Sequence, residues 1–214
     1  MELDILDPFG DFQSAGYLRN VYCEKDLRIV GHLETAAFRE QVGQTVLYLR
    51  GVSELEYEHI TQAHRMLFGS VYPWAGQDRL ETAPHLKILK GGYKNLFALP
   101  DSIRIAAEYA LRLGKDAAHL RAHPGEVFGY LAHAHPFLEG NGRTILTVYA
   151  EMTRRSGFHV AWEAIEKGAF LRALTEELLQ PGTAMDALVL PYMRDGVLAM
   201  ENVADRLDLN FGRE

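Results

Sequence analysis

The chain has 214 residues, a formal net charge of −7 and a single cysteine, Cys23. Apolar residues make up 48% and charged residues 24%, an ordinary globular balance that excludes a largely disordered chain. One cysteine excludes an intrachain disulfide framework or a cysteine-rich zinc module, and 29 acidic against 22 basic residues argue against a surface built to track a nucleic-acid backbone. The start, Met1-Glu2-Leu3-Asp4, is acidic and lacks the basic opening and apolar run of a signal peptide. No apolar stretch approaches the roughly 18 residues needed to span a bilayer. The expectation is a cytoplasmic protein with neither nucleic-acid nor membrane partners, a secreted effector being the other setting left open.

In chain order, the first thirty residues are mixed, with turn signals at Pro8-Phe9-Gly10 and Gly16. Helical periodicity follows. Phe38, Val42, Val46 and Leu49 share one face, and Ile60, Ala63 and Leu67 another, in a segment closed by Gly69. From Tyr72 to Pro100 the pattern is broken by Pro73, Gly76, Pro84, Gly91, Gly92 and Pro100, with short apolar runs between, which predicts a loop plus a small β-hairpin. Ile103, Ala106, Ala110 and Leu113 predict a helix with Asp101 as N-cap and Gly114 as its stop. Pro124 suits the first turn of a helix carrying Val127, Phe128 and Leu131. Ile145, Val148, Tyr149 and Met152 form the next face, ended by Gly157; Phe170, Leu171, Leu174 and Leu178 form another. Met185, Leu188, Val189 and Tyr192 make the last, which Pro191 bends or ends. The fold class expected is all-α, a helical bundle with one hairpin flap.

The densest chemical signal is His133-Ala134-His135-Pro136-Phe137-Leu138-Glu139-Gly140-Asn141-Gly142-Arg143-Thr144. Pro136 should stop the preceding helix near His135. Gly140 and Gly142 let the backbone turn tightly and approach a ligand. The next helix should start near Asn141 or Gly142, its unpaired N–H groups forming an anion site suited to phosphate. Arg143 adds a forked cation. Glu139 is a hard oxygen ligand for a Mg²⁺ shared with phosphates. His135 has the ordinary pKa best suited to proton abstraction near neutrality. Each residue taken singly has a bland explanation, as a helix end, a turn or a solvated charge. Together they are the equipment for transfer from a nucleoside phosphate to a hydroxyl.

The string HPFLEGNGR resembles the Fic signature HPFx(D/E)GNGR at every specified position. Tyr72-Pro73-Trp74-Ala75-Gly76 resembles the PWAG element of that family, and Lys90-Gly91-Gly92 with Phe97-Ala98-Leu99-Pro100 resembles its flap and flap exit. Asp7 to Phe12 and Gly16 to Asn20 resemble the opening of small bacterial Fic proteins, so the likeness covers roughly residues 7 to 195. The resemblance implies a protein AMPylator that moves AMP from ATP to a Ser, Thr or Tyr hydroxyl of a target protein. It implies His135 as general base and Phe137 as core anchor. Glu139 would hold Mg²⁺, Gly140, Asn141 and Gly142 would form the phosphate hole, and Arg143 would lie on the phosphates; His135, Asn141 and Arg143 make up the catalytic set. The flap, Leu86 to Leu96, would hold the target by strand addition. By the same likeness, residues 31–195 are the catalytic domain, 1–30 a segment packed on it and 196–214 a helical tail.

The pattern departs at one place: the family's second arginine falls at Leu146, a position that core packing alone explains. That leaves the donor nucleotide open. The family's inhibitory glutamate motif has its nearest match at Val197 to Asn202, around Glu201, without the usual Ser or Thr. A small antitoxin-like inhibitor protein, as in a toxin–antitoxin pair, is the alternative partner. The alternatives for function are Doc-like phosphotransfer, whose loop carries Lys where this chain has Gly142, and a decayed binding module. His133, the His59/His64 and His119/His123 pairs, Trp74, Trp162, Lys90 and Lys94 all have packing or surface explanations, and Arg154 and Arg155 suit a helix C-terminus.

Overall fold

Asp26 opens the first helix by accepting the Arg28 amide N–H on its side chain, which satisfies one of the donors that every helix start leaves unpaired. The structure, a computed structural model, describes residues 19–85, 88 and 96–198. Helix α1 runs Leu27–Gly51, so the boundary expected at residue 30 falls inside a continuous helix. Val30, Ala37, Phe38, Val42, Val46 and Leu49 are buried along it, at helical spacing. Helix α2 (Tyr57–Phe68) starts where the Glu56 N–H donates to His59 Nδ1 at 2.9 Å. A one-turn helix α3 (Arg79–Thr82) is capped by Asp78, which accepts from Leu80 and Glu81 N–H.

Helix α4 (Ile103–Lys115) follows a 3₁₀ turn at Pro100–Ser102. The N-cap is therefore Ser102 and not Asp101, because the 3₁₀ turn draws Asp101 into the approach. Gly114 does not end α4 either. A Cβ there would lie 1.9 Å from Met152 Cε, so that glycine allows close helix packing rather than a stop. Helix α5 (Ala117–Ala122) is capped by Asp116, and α6 (Pro124–Ala134) has Pro124 in its first turn as expected. Helix α7 spans Asn141–Arg155, α8 Lys167–Leu179 and α9 Ala184–Val189.

Helices α6 and α7 form the centre. Helices α4, α8 and α9 pack on α6, and α1 and α2 pack on α7. Gly125 and Gly129 make α6 approachable: a Cβ at Gly125 would meet the Met185 carbonyl carbon at 2.0 Å, and one at Gly129 would meet Glu177 Cγ at 2.6 Å. Asp186 of α9 caps α6 by accepting from Gly125 and Glu126 N–H at 2.6 and 3.0 Å. Phe128, Tyr149, Trp162 and Phe170 meet in one aromatic cluster beneath these helices. Trp74 and Trp162 are both core residues, in agreement with the sequence.

The described β structure is a short antiparallel pair, β1 (Phe158–Val160) with β2 (Met193–Asp195), in register Phe158↔Asp195. Strands of three residues are too short to show a readable alternation, so they leave no signal in the sequence. The expected flap hairpin falls almost wholly on residues 86–87 and 89–95, and the expected tail on 199–214. Both lie outside the described residues, as do residues 1–18. Gly196–Leu198 is not helical. Among the described residues no helix is long and apolar enough to cross a membrane.

Candidate active site

Helix α6 ends at Ala134, and His135 caps it in the left-handed region, φ 40° and ψ 62°. Pro136 disfavours right-handed helix at the residue before it, and the left-handed cap reverses the chain. A non-glycine residue held there stores about 1–3 kcal/mol of strain, so neighbouring groups must hold it. The expected stop at His135 and the expected restart at Asn141 both stand.

Between the two helices, the loop is gripped through its backbone. The Asn141 side chain accepts the Phe137 N–H at 2.9 Å and donates to the Phe137 carbonyl at 2.7 Å. Its amide is thus committed to the loop, and what Asn141 offers a ligand is its main-chain N–H. Phe137 is fully buried and stacks on the His64 ring at 3.8 Å. Gly140 has φ +77°, and a Cβ there would lie 2.7 Å from Phe68 Cε2; only glycine fits. The Thr144 hydroxyl and N–H both donate to the Gly140 carbonyl. The first helical turn therefore begins cleanly, and its leading N–H groups, at Asn141, Gly142 and Arg143, have no intrahelical acceptor.

His64 of α2 is the first residue that sequence reasoning missed. It accepts the Gly76 N–H on Nδ1 at 2.9 Å, and its Nε2–H donates to the Glu139 carbonyl at 3.0 Å. That pattern requires the neutral ring. Burial pushes its pKa down to about 3, with the Arg143 charge acting in the same direction. Gly76 sits at φ +85°, where a Cβ would meet the Arg65 side chain at 2.8 Å. Tyr72 and Trp74 stack at 4.4 Å, so the Tyr72–Gly76 element is a shaped platform that hands one N–H to His64.

Arg79 is the second. Its Nε donates to the His135 carbonyl at 2.8 Å and its Nη2 to the Ala98 carbonyl at 2.7 Å. Its own N–H donates to the Pro136 carbonyl at 2.7 Å. Burial lowers its pKa to about 10, while Asp78 and Tyr57 oppose that. The Tyr57 hydroxyl donates to Asp78 at 2.5 Å, and burial and Asp78 both hold that phenol protonated.

His133, expected as packing or surface, instead fastens the segment 96–98. Its Nδ1–H donates to the Leu96 carbonyl, and its own carbonyl accepts the Ala98 N–H, each at 2.8 Å. This places the Phe97 ring against the His135 imidazole, centroids 3.9 Å apart.

Arg143 lies at the start of α7 but faces α1. Its Nη2 donates to Glu34 at 2.9 Å, and both side chains are nearly buried. The Tyr72 hydroxyl donates to the same carboxylate, and the guanidinium lies 4.7 Å from the Phe68 ring centroid. A guanidinium has five N–H donors, so this pairing leaves capacity for a phosphate. Glu139 is half-buried, and its carboxylate accepts the Gly140 N–H at 3.2 Å. That points it along the same turn as the open N–H groups. No cluster of three metal ligands occurs among the described residues. A Mg²⁺ that takes one carboxylate and completes its shell with phosphate and water needs none, so this donor set fits such an ion. Leu146 is fully buried, packed in the core as its position in the helix suggested. No sequence pattern marks His64, Arg79 or Glu34, because their partners lie 12 to 109 residues away or are bare carbonyls; the Phe97 contact depends on the fold in the same way.

The model of the Fic/DOC family matches residues 54–152. The chain is 30% identical over 188 residues to a protein adenylyltransferase, VbhT, of Bartonella schoenbuchensis, covering 86% of this chain and 38% of that protein. It is 35% identical over 135 residues to a probable protein adenylyltransferase, y4lH, of Sinorhizobium fredii, covering 56% of this chain and 64% of the relative. The chain therefore spans less than two thirds of these relatives. Among solved structures, the N-terminal Fic domain of a VirB-translocated Bep effector of Bartonella quintana with bound ADP matches with TM-score 0.71 and 21% identity, over 86% of this chain and 94% of that one. BepC of Bartonella tribocorum with bound AMPPNP matches with TM-score 0.68 and 21% identity, over 86% and 95%. The helical fold is shared with these domains.

Proposed function

For a chain that the Fic/DOC family model matches over residues 54–152, we propose a protein adenylyltransferase that moves AMP from ATP to a hydroxyl of a target protein. The observation that carries the reading is one loop, His135 to Arg143, that joins a strained, fixed histidine to an open helix N-terminus. The names of the relatives and the nucleotides in the two solved domains support it.

In this reading the N–H groups of Asn141, Gly142 and Arg143 bind the α- and β-phosphates and take up charge that develops on them. His135 accepts the proton of the target hydroxyl as its oxygen bonds to the α-phosphorus. The bond from that phosphorus to the bridging oxygen breaks, and pyrophosphate leaves. A Mg²⁺ held by Glu139 would supply charge neutralisation to the phosphates. The target segment would lie along the flap near Leu86 to Leu96, and a separate inhibitor protein would be a regulatory partner. The Phe97 ring covers one face of the imidazole, which limits how a hydroxyl reaches it.

The test is incubation with a cell lysate and ATP labelled at the α- or the γ-phosphate. The α label should enter protein and His135→Ala should abolish its entry with the fold intact. Entry of the γ label instead would replace this reading with phosphotransfer. Full activity of His135→Ala would remove the mechanism.

A further inference from the structure

We propose that Arg79 is the positioning residue for His135, setting both the backbone and the ring of the base; the inference rests on the reading of His135 as that base. Three observations carry it. First, Arg79 is only 1% exposed, and among the described residues no carboxylate forms an ion pair with it. Asp78 offsets its charge only at a distance, a buried cation with no direct ion pair is costly, and an apolar side chain of similar length would fill the space at less cost. The side chain is explained by what its donors reach. Second, those donors reach two segments distant in sequence. The guanidinium holds the carbonyls of His135 and Ala98, and the Arg79 main chain holds that of Pro136. Third, His135 is in a left-handed conformation that persists only where its surroundings hold it.

The two carbonyls on the guanidinium have different jobs. The His135 carbonyl belongs to the strained residue itself. The Ala98 carbonyl belongs to the segment whose Phe97 ring stacks on the imidazole. One planar cation thus ties the backbone of the base to the platform against its ring. Arg79 in turn is fixed by the Asp78 cap and by the Tyr57 hydroxyl on Asp78. Without the guanidinium, both carbonyls lose a buried donor and His135 can relax out of the left-handed region. A general base must lie within about 2.6–3.2 Å of the proton it takes, so a small displacement is enough to slow transfer.

The test uses the full chain with Arg79→Met, Arg79→Lys and Phe97→Leu. One readout is the NMR resonance of the His135 Cε1 proton, assigned by its loss in His135→Gln and shifted in the parent by the Phe97 ring. Others are ATP affinity by calorimetry, and α-label transfer at saturating ATP with a lysate as acceptor. Arg79→Met should move the His135 resonance toward that of a free imidazole and lower the transfer rate by about 10–100-fold, with ATP affinity held within about twofold since the helix N-terminus is untouched. Arg79→Lys should recover part of both effects, and Phe97→Leu should move the resonance alone. An unmoved resonance in Arg79→Met overturns the proposal, as does a fall in ATP affinity as large as the fall in rate, which marks general loosening. If Arg79→Met does not fold, Arg79→Lys decides, since one ammonium is a poor match for two divergent carbonyls and an unmoved resonance overturns the proposal again. A parent protein that transfers no label sinks the reading of the base, while the resonance still reports whether Arg79 positions the ring.

Discussion

His64 has no place in any catalytic pattern, yet it joins the Gly76 turn to the Glu139 carbonyl and lies under Phe137. Its folded pKa, about 3, lies below the ordinary 6.5. As pH falls through about 6.5 the unfolded chain takes up a proton that the folded chain refuses. The stabilisation is therefore complete above 6.5 and is lost progressively as pH falls toward 3, reaching about 2–3 kcal/mol by pH 4.5. Urea unfolding at several pH values should show this slope between pH 6.5 and 4.5, and His64→Gln should flatten it by nearly one proton while lowering stability at pH 7. An unchanged slope would assign the acid sensitivity to other groups. Gly140 is governed by backbone geometry instead. Gly140→Ala places a Cβ against Phe68 at a positive φ and should cost about 1–3 kcal/mol, with weaker ATP binding in calorimetry as the first turn of α7 is displaced.

At the scale of elements, α1 and α7 are joined at both ends. Near the loop, Glu34 of α1 pairs with Arg143 and accepts the Tyr72 hydroxyl. At the far end, Arg155 donates to the carbonyls of Leu49, Val52 and Ser53, and buried Glu151 holds Arg154 and Arg155. The sequence explanation of those two arginines, a favourable helix dipole, is thus only part of their role. Burial disfavours the Glu151 charge, but the two arginines overcome it and its pKa is lowered. Removing one partner of a nearly buried pair leaves the other uncompensated. Glu34→Ala should cost about 3 kcal/mol or more in thermal or urea unfolding, whereas Glu34→Gln, which still accepts the Tyr72 hydroxyl, should cost about 1–2 kcal/mol. Equal losses would assign the whole effect to charge.

Across the whole molecule, the reactive loop sits where two groups of helices meet, α1 and α2 on α7, and α4, α8 and α9 on α6. The aromatic cluster of Phe128, Tyr149, Trp162 and Phe170 joins α6, α7 and α8 away from the loop. Phe128 lies seven residues before His135, about 10 Å along the helix axis. Phe128→Ala should lower stability by about 3–5 kcal/mol and leave ATP affinity unchanged well below the unfolding midpoint, measured by calorimetry at low temperature. A parallel fall in affinity would show that the cluster and the loop are coupled.

Helix identity was legible because apolar residues at spacings of three and four mark one face whatever that face meets. The loop was legible because Pro136, Gly140, Gly142 and the charged residues are contiguous, and local stereochemistry acts on neighbours. Helix ends were less so: Asp101 and Gly114 carry ordinary cap and stop signals, but a 3₁₀ turn and a close approach by Met152 claimed them. The groups that hold the loop were not legible. His64, Arg79 and Glu34 reach main-chain atoms or partners 12 to 109 residues away, and a backbone carbonyl has no identity in a sequence. The residue types and turns of this site are written locally; which groups grip them, and that Arg143 faces Glu34, were decided only when the helices packed.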